Sequence, residues 1–275
     1  MANTTRQTAA ITGAGDGIGR ALAVNLNERG IDLYLCDIDQ ERLDATVAML
    51  DTARSSVSTA LVDCGNRAEI ETWAGTITSE NDRLDFLFNN AGVAYGAAFR
   101  DASLDNFEWL MNINYWGVVW CTKALLPLLE ASPSGRLVNI SSIFGMVGIA
   151  TQSAYNSAKF AVRGFTESLQ AEYRATSLTV TCVHPGGIAT NIALRARTDG
   201  EASEASAEER DESFKQIART SATKAAQVII KGTLAGRRRV FIGWDAWFMH
   251  TLTKFMPTSY HAITTRLGSR NDDNG

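Results

Sequence analysis

The sequence predicts an α/β protein: a doubly wound parallel sheet of about seven strands with helices on both faces. Three observations carry this. Short runs rich in β-branched and apolar residues recur along the chain, and they alternate with longer stretches whose apolar residues fall three and four apart. The short runs are also near-continuously apolar rather than alternating, as parallel strands covered on both faces require.

In order, the strand runs are Thr8–Thr12, Ile31–Asp37, Ser58–Asp63, Leu84–Asn89, Arg136–Ser141, Leu178–His184 and Arg239–Gly243. The helical stretches between them are Gly17–Arg29, Gln40–Ala53, Ala68–Ser79, Leu104–Leu129, Ser153–Arg174 and Ala222–Ala235, each with one apolar face. The alternation breaks once, at Thr190–Ser221. There the run Glu201–Asp211 reads as a solvated helix, and the whole segment is placed to act as a lid over the strand ends. After the last strand, Trp244-Asp245-Ala246-Trp247-Phe248-Met249-His250 opens an aromatic, amphipathic helix reaching past Phe255.

The chain has 275 residues, 45% hydrophobic and 20% charged, an ordinary globular composition. One domain of this size buries roughly 70–75% of its unfolded surface and needs no disulfide or metal. We expect a single domain over residues 1–268, including the lid at 190–221 and the C-terminal helix at 244–256. The polar tail 269–275 is expected to be disordered. With 26 Lys and Arg against 30 Asp and Glu, net −4, no basic excess exists to bind a nucleic-acid backbone. Cys36, Cys64, Cys121 and Cys182 are scattered, with no metal-ligand spacing, so no metal is expected. No apolar run approaches a membrane span, and the N-terminal residues lack the apolar core of a signal peptide, so a cytoplasmic protein is expected.

The first chemical signal is Thr12-Gly13-Ala14-Gly15-Asp16-Gly17-Ile18-Gly19, between a strand and a helix. Glycines there let backbone N–H groups approach a pyrophosphate at the helix N-terminus, and the layout is Rossmann-like. Asp37 closes the next strand, where a carboxylate accepts from ribose hydroxyls and repels a 2′-phosphate. Asp16 adds a second negative charge. Arg42 comes a helical turn too late and reads as part of a solvated face. NAD is therefore favoured over NADP.

The second signal is Tyr155-Asn156-Ser157-Ala158-Lys159, which puts Tyr155 and Lys159 on one helix face. An adjacent ammonium lowers a phenol pKa from about 10 and makes it a usable acid or base. Ser141 and Ser142 end a strand at the carboxyl edge, where a hydroxyl can meet a substrate oxygen. Asn114 is a polar residue in an apolar helix, and on its own reads as a satisfied core amide. His184 reads as structural.

Together these motifs resemble a classical short-chain dehydrogenase/reductase from about Thr8 to Gly243. The resemblance rests on the Thr12–Gly19 loop, Asp63, Asn89-Asn90-Ala91-Gly92, Asn114, Ser142, Tyr155 with Lys159, and Pro185-Gly186. It implies that Tyr155 is the general acid/base and that Ser142 polarises the substrate carbonyl. Lys159 would bind the nicotinamide ribose and Asn114 would hold a relay water. Gly13, Gly15, Asp16, Gly17, Ile18, Gly19 and Asp37 would form the cofactor site with Asp63 at the adenine and Asn90 and Gly92 beside the adenosine. Pro185 and Gly186 would belong to the cofactor site, and Ile188 and Thr190 after them would hold the nicotinamide carboxamide.

The expected substrate pocket comprises Phe144, Met146, Val147, Gln152 and Gly187, and favours an apolar secondary alcohol or ketone, bulky ones included. A homodimer or homotetramer is expected. Two other readings stand beside the NAD-dependent dehydrogenase: an NADPH-dependent ketone or 3-oxoacyl reductase of the same fold, and a non-catalytic dinucleotide sensor or scaffold.

Overall fold

Five consecutive buried residues, Thr8–Thr12, make β1, the strand around which the sheet is arranged. The computed structural model describes residues 6–260; the tail expected at 269–275 lies outside them. After β1 come α1 (Gly17–Asn27), β2 (Asp32–Asp37), α2 (Gln40–Val47), β3 (Val57–Leu61), α3 (Arg67–Glu80), β4 (Phe86–Asn89) and the short β5 (Tyr95–Gly96). The middle of the chain forms α4 (Leu104–Met111), a π-helical turn (Asn112–Trp116), α5 (Gly117–Ala131), β6 (Arg136–Ile140), a 3₁₀ turn (Ile143–Gly145), α6 (Ser153–Glu172) and β7 (Thr179–Pro185). The lid region holds β8 (Ile188–Ala189), β9 (Arg197–Thr198), α7 (Ala207–Ile217) and β10 (Thr220–Ser221). The chain then continues into α8 (Ala222–Leu234), β11 (Arg239–Ile242) and α9 (Trp244–Phe255).

Seven strands pair in parallel in the order β11-β7-β6-β4-β1-β2-β3. Alternate residues of each strand feed two cores. On one face Ile11, Leu33, Phe88 and Val138 pack on Leu22 and Leu26 of α1 and Ile229 and Ile230 of α8. On the other, Ala10, Leu87 and Leu137 pack on Ile70, Trp73 and Ile77 of α3 and Leu125 and Leu129 of α5. The helices start at side-chain caps: Asp16 for α1, Asp39 for α2, Asn66 for α3, Ser103 for α4 and Ser221 for α8. The strand order reverses direction between β1 and β4, which opens a crevice at their carboxyl ends.

Several expected boundaries move. The helix expected over Leu104–Leu129 is not one α-helix: five residues, Asn112–Trp116, take a π turn between α4 and α5. A π turn inserts one residue into the helical repeat, which re-aims the side chains around it. The helix expected over Gln40–Ala53 stops at Val47, because Asn27 binds the Asp51 N–H (2.8 Å) and C=O (3.0 Å) and turns the chain. β3 ends at Leu61 rather than Asp63; it is an exposed sheet edge with β2 as its partner. In the lid, the charged run contributes an exposed α7 with a Ser206–Glu209 capping box. Among the described residues no helix is long and apolar enough to cross a membrane.

Candidate active site

The carboxyl edge of the sheet gathers the residues singled out above. The glycine loop is tight because its glycines have no room for a side chain. A Cβ on Gly13 (φ 64°) would stand 2.8 Å from Ala91 Cα, and one on Gly19 would stand 2.0 Å from the Gly13 carbonyl. Asn90 ties β4 to this loop: its Nδ2 donates to the carbonyls of Thr12 (3.0 Å) and Gly13 (3.1 Å). Ile18 packs partly buried against the core. Asp63, past the end of β3, accepts the Gly65 N–H at 2.8 Å.

Asp37 is buried, and its Oδ2 accepts the Gly15 N–H at 2.9 Å. Arg42 corrects the expectation that it decorates a solvated face. Its guanidinium stands 3.6 Å from Asp37 and 2.8 Å from Asp39, and its Cβ fills the space beside Gly15. The first turn of α2 is short enough to fold Arg42 back over the end of β2.

Asp16 caps α1 and also anchors the lid. Its Oδ2 accepts from Asn191 at 2.9 Å and from Arg195 at 2.6 Å. Burial pushes the Asp16 carboxyl up, but these bonds and the Gly17 N–H together pull it below its usual range. Thr190 lies over Gly17 (φ 52°), where a Cβ would meet its side chain at 3.0 Å. A few residues further on the lid is pinned again: Asp199 accepts the Tyr95 hydroxyl at 2.5 Å, and Arg197 stacks 3.7 Å over the Trp109 ring.

Around the reacting group, the Ser142 hydroxyl lies beside the Tyr155 hydroxyl, close enough to favour the phenolate. Ser142 also accepts the Phe144 N–H at 3.1 Å, whereas Ser141 is spent on the Lys159 carbonyl at 2.8 Å. Lys159 is buried, donates to the Ile140 carbonyl at 3.1 Å, and places Nζ 5.6 Å from the Tyr155 ring centre. The expected lowering of the Tyr155 pKa is not found in the free protein. Burial pushes the phenol up to about 12, against a smaller opposing effect of the neighbouring Ser142 hydroxyl. The same burial brings Lys159 down to about 8. Desolvation penalises both charges more than their mutual attraction helps at this distance.

Asn114 is fully buried, its amide exchanging two 2.8 Å hydrogen bonds with the Val93 backbone. Asn114 Oδ1 and Lys159 Nζ converge over Gly92, where a Cβ would sit 3.3 and 3.4 Å from them.

The expected pocket is only partly assembled. Phe144 meets Tyr155 edge-on at 6.2 Å, and Gln152 reaches Gly96. Met146 and Val147 turn away from Tyr155. Val147 packs with Met249 and Tyr260, and Met146 lines a separate cavity of about 630 Å³ with Phe160 and Arg163. The 3₁₀ turn at Ile143–Gly145 reverses the chain and carries them to the α9 side.

Two further residues complete the frame: Asn156, to which the sequence assigns no role, and His184, which takes the structural place expected of it. Asn156 pins the loop after Ser142 through the carbonyls of Phe144 (2.8 Å) and Val147 (2.7 Å). His184, completely buried, sets its Nδ1 3.0 Å from the Ser142 carbonyl. The signal for Asn156 is a polar residue on the inward face of its helix beside Tyr155.

The family model described as short chain dehydrogenase matches residues 7–201. The chain belongs to that family. SadH of Mycobacterium tuberculosis is 40% identical to this short-chain dehydrogenase over 260 residues, covering 94% of this chain and 93% of SadH. A short-chain dehydrogenase/reductase from Burkholderia phymatum, solved in complex with NAD, superposes with a TM-score of 0.79 at 25% identity over 97% of each chain. One from Sphingobium yanoikuyae, in complex with NADPH, shares the fold with a TM-score of 0.76 at 23% identity, covering 97% of this chain and 95% of that one. The family is one of oxidoreductases that bind a nicotinamide dinucleotide, and members with either cofactor share this architecture.

Proposed function

We propose that this short-chain dehydrogenase interconverts a secondary alcohol and a ketone with NAD(H), Tyr155 giving and taking the proton. The observation that carries the reading is the convergence of Ser142 and Tyr155 at the carboxyl edge of the sheet, with the buried Lys159 one helical turn away. The residues fit a dinucleotide: the glycine loop is closed to side chains at Gly13 and Gly19, and Lys159 is a buried cation whose known partner is a single carbonyl. When bound, the nicotinamide supplies or accepts the hydride.

The protein's own groups handle the charge that develops on oxygen. In ketone reduction, Ser142 donates to the carbonyl oxygen as negative charge grows, and Tyr155 protonates it. The phenol at about 12 is protonated through neutral pH, the state that this direction requires. In alcohol oxidation the phenol must ionise, which the Lys159 ammonium favours. Asn114 and Lys159, converging over Gly92, would hold the water that returns the proton.

NAD is the preferred cofactor in this reading because Asp37 and Asp39 face the ribose end of the crevice and already share Arg42. NADPH is the second reading, and Arg42 itself favours it, as a guanidinium within 3.6 Å of Asp37. The substrate is taken to be apolar because Tyr155 packs among Tyr95, Ala97, Leu110 and Ala154, with Phe144 across it.

Paired titrations with NADH and NADPH, read by tryptophan fluorescence, test the cofactor. Tighter NADH binding supports the reading, and tighter NADPH binding replaces it with the second. A panel of apolar ketones against small oxo-acids tests the substrate; preference for the oxo-acids would overturn the apolar pocket.

A further inference from the structure

The aromatic helix α9 follows β11 with almost no connection, and its first turn reaches back across the sheet edge. Asp245 Oδ2 accepts the Gly187 N–H at 2.7 Å. The carboxylate occupies a niche that two glycines leave open. A Cβ on Gly186 would stand 2.1 Å from Oδ2, and a Cβ on Gly243 (φ 92°) would stand 2.2 Å from Oδ1.

The turn that Asp245 grips is fixed on its other sides too. The Gly186 N–H donates to the Ile242 carbonyl at 2.9 Å, and the Gly187 carbonyl accepts the Thr220 N–H at 3.4 Å. Downstream, Ile188 and Ala189 pair with Thr220 and Ser221 as the β8–β10 ribbon, and Thr190 then lies against Gly17. The segment from Pro185 to Thr190 is therefore suspended between α9 at one end and the glycine loop at the other. Among the described residues, the hydrogen bond that Gly187 donates to Asp245 is its one charge-assisted tie to α9, and such bonds are roughly twice as strong as neutral ones.

We propose that Asp245 is a positioning residue for the nicotinamide half of the cofactor site, acting through Gly187. The inference rests on the reading that Pro185–Thr190 faces the nicotinamide. Asp245 touches neither the reacting atoms nor the adenosine side, so its loss should mis-set one half of the crevice and spare the other. A bland alternative exists in which Asp245 only balances the dipole of α9 from its first turn. The two roles separate by experiment, because the dipole accepts any nearby carboxylate and the niche between two glycines does not.

The test is affinity for NADH and for ADP-ribose, which lacks the nicotinamide, in the wild type and three variants. For Asp245→Ala we expect NADH to bind about tenfold more weakly, the scale of one lost charge-assisted hydrogen bond, and ADP-ribose to bind as in the wild type. Asp245→Asn keeps an acceptor of the same length and should restore most of the NADH affinity. Asp245→Glu keeps the charge in the first turn but is too long for the niche, and should weaken NADH as Ala does. If Asp245→Ala fails to fold, the Asn and Glu pair still decides. Equal loss for both ligands, unchanged NADH binding in Ala, or wild-type behaviour in Glu would each overturn the proposal. A wild type that binds ADP-ribose but not NADH would instead remove the reading of Pro185–Thr190 on which it rests.

Discussion

Arg195 of the lid stands 2.6 Å from Asp16 of the glycine loop, so the lid is tied to the helix N-terminus that would receive a pyrophosphate. The pair is partly exposed, with side chains 44% and 22% accessible, which caps its worth at about 1 kcal/mol or less. Arg195→Ala should therefore leave the melting temperature nearly unchanged while freeing the lid. Limited proteolysis should cut between residues 190 and 221 faster in the variant, and NADH should slow the cut. An unchanged digestion rate would mean that the Asn191, Arg197 and Asp199 anchors hold the lid without Arg195.

Asp37 and Arg42 set the cofactor choice. Asp37→Ser removes the acid that repels a 2′-phosphate and leaves Arg42 held by Asp39 only. The ratio of kcat/KM for NADPH over NADH should rise by about tenfold to a hundredfold, the scale of one or two lost or gained charge contacts. A ratio that does not move would place the ribose elsewhere.

Tyr155→Phe should cost roughly 10²–10⁴ in kcat, the usual worth of a positioned acid or base, with NADH affinity kept. Ser142→Ala should lose somewhat less, since Tyr155 can still reach the oxygen. Retained turnover in Tyr155→Phe would dispose of the proton-transfer mechanism.

His184 predicts an acid-sensitive fold. Its Nδ1 donates to the Ser142 carbonyl, and burial brings its pKa down to about 4. The folded protein holds the imidazole neutral while the unfolded chain protonates near pH 6.5, so the unfolded state binds the extra proton. Stability is full above that value and falls by about 1.4 kcal/mol per pH unit between 6.5 and 4. Urea unfolding at stepped pH should show this slope in the wild type and a shallower one in His184→Asn.

The parts of this architecture that were legible in the sequence are those written in short spacings. The glycine loop, Asp37 closing a strand, and Tyr155 one helical turn from Lys159 all declare themselves within a few residues. What stayed hidden joins distant positions or depends on solvation. Asp16–Arg195, Asp245–Gly187 and Asn114–Val93 are contacts that no local pattern encodes. The π turn at Asn112–Trp116 is silent because its apolar spacing still reads as helical. The raised Tyr155 pKa is hidden in the same way, because proximity to Lys159 is written in the spacing and burial is not.

The place of β1 between β2 and β4 bears on how the chain is made. Its pairings need residues up to Phe88, whereas β6, β7 and β11 join only on the far side of β4. On the ribosome, at about 5–20 residues per second, the half-sheet β3-β2-β1-β4 is synthesised several seconds before the strands that cover its open edge. During that interval the buried run Phe86–Asn89 is an unpaired edge, and a nascent chain stalled there is the form most exposed to aggregation.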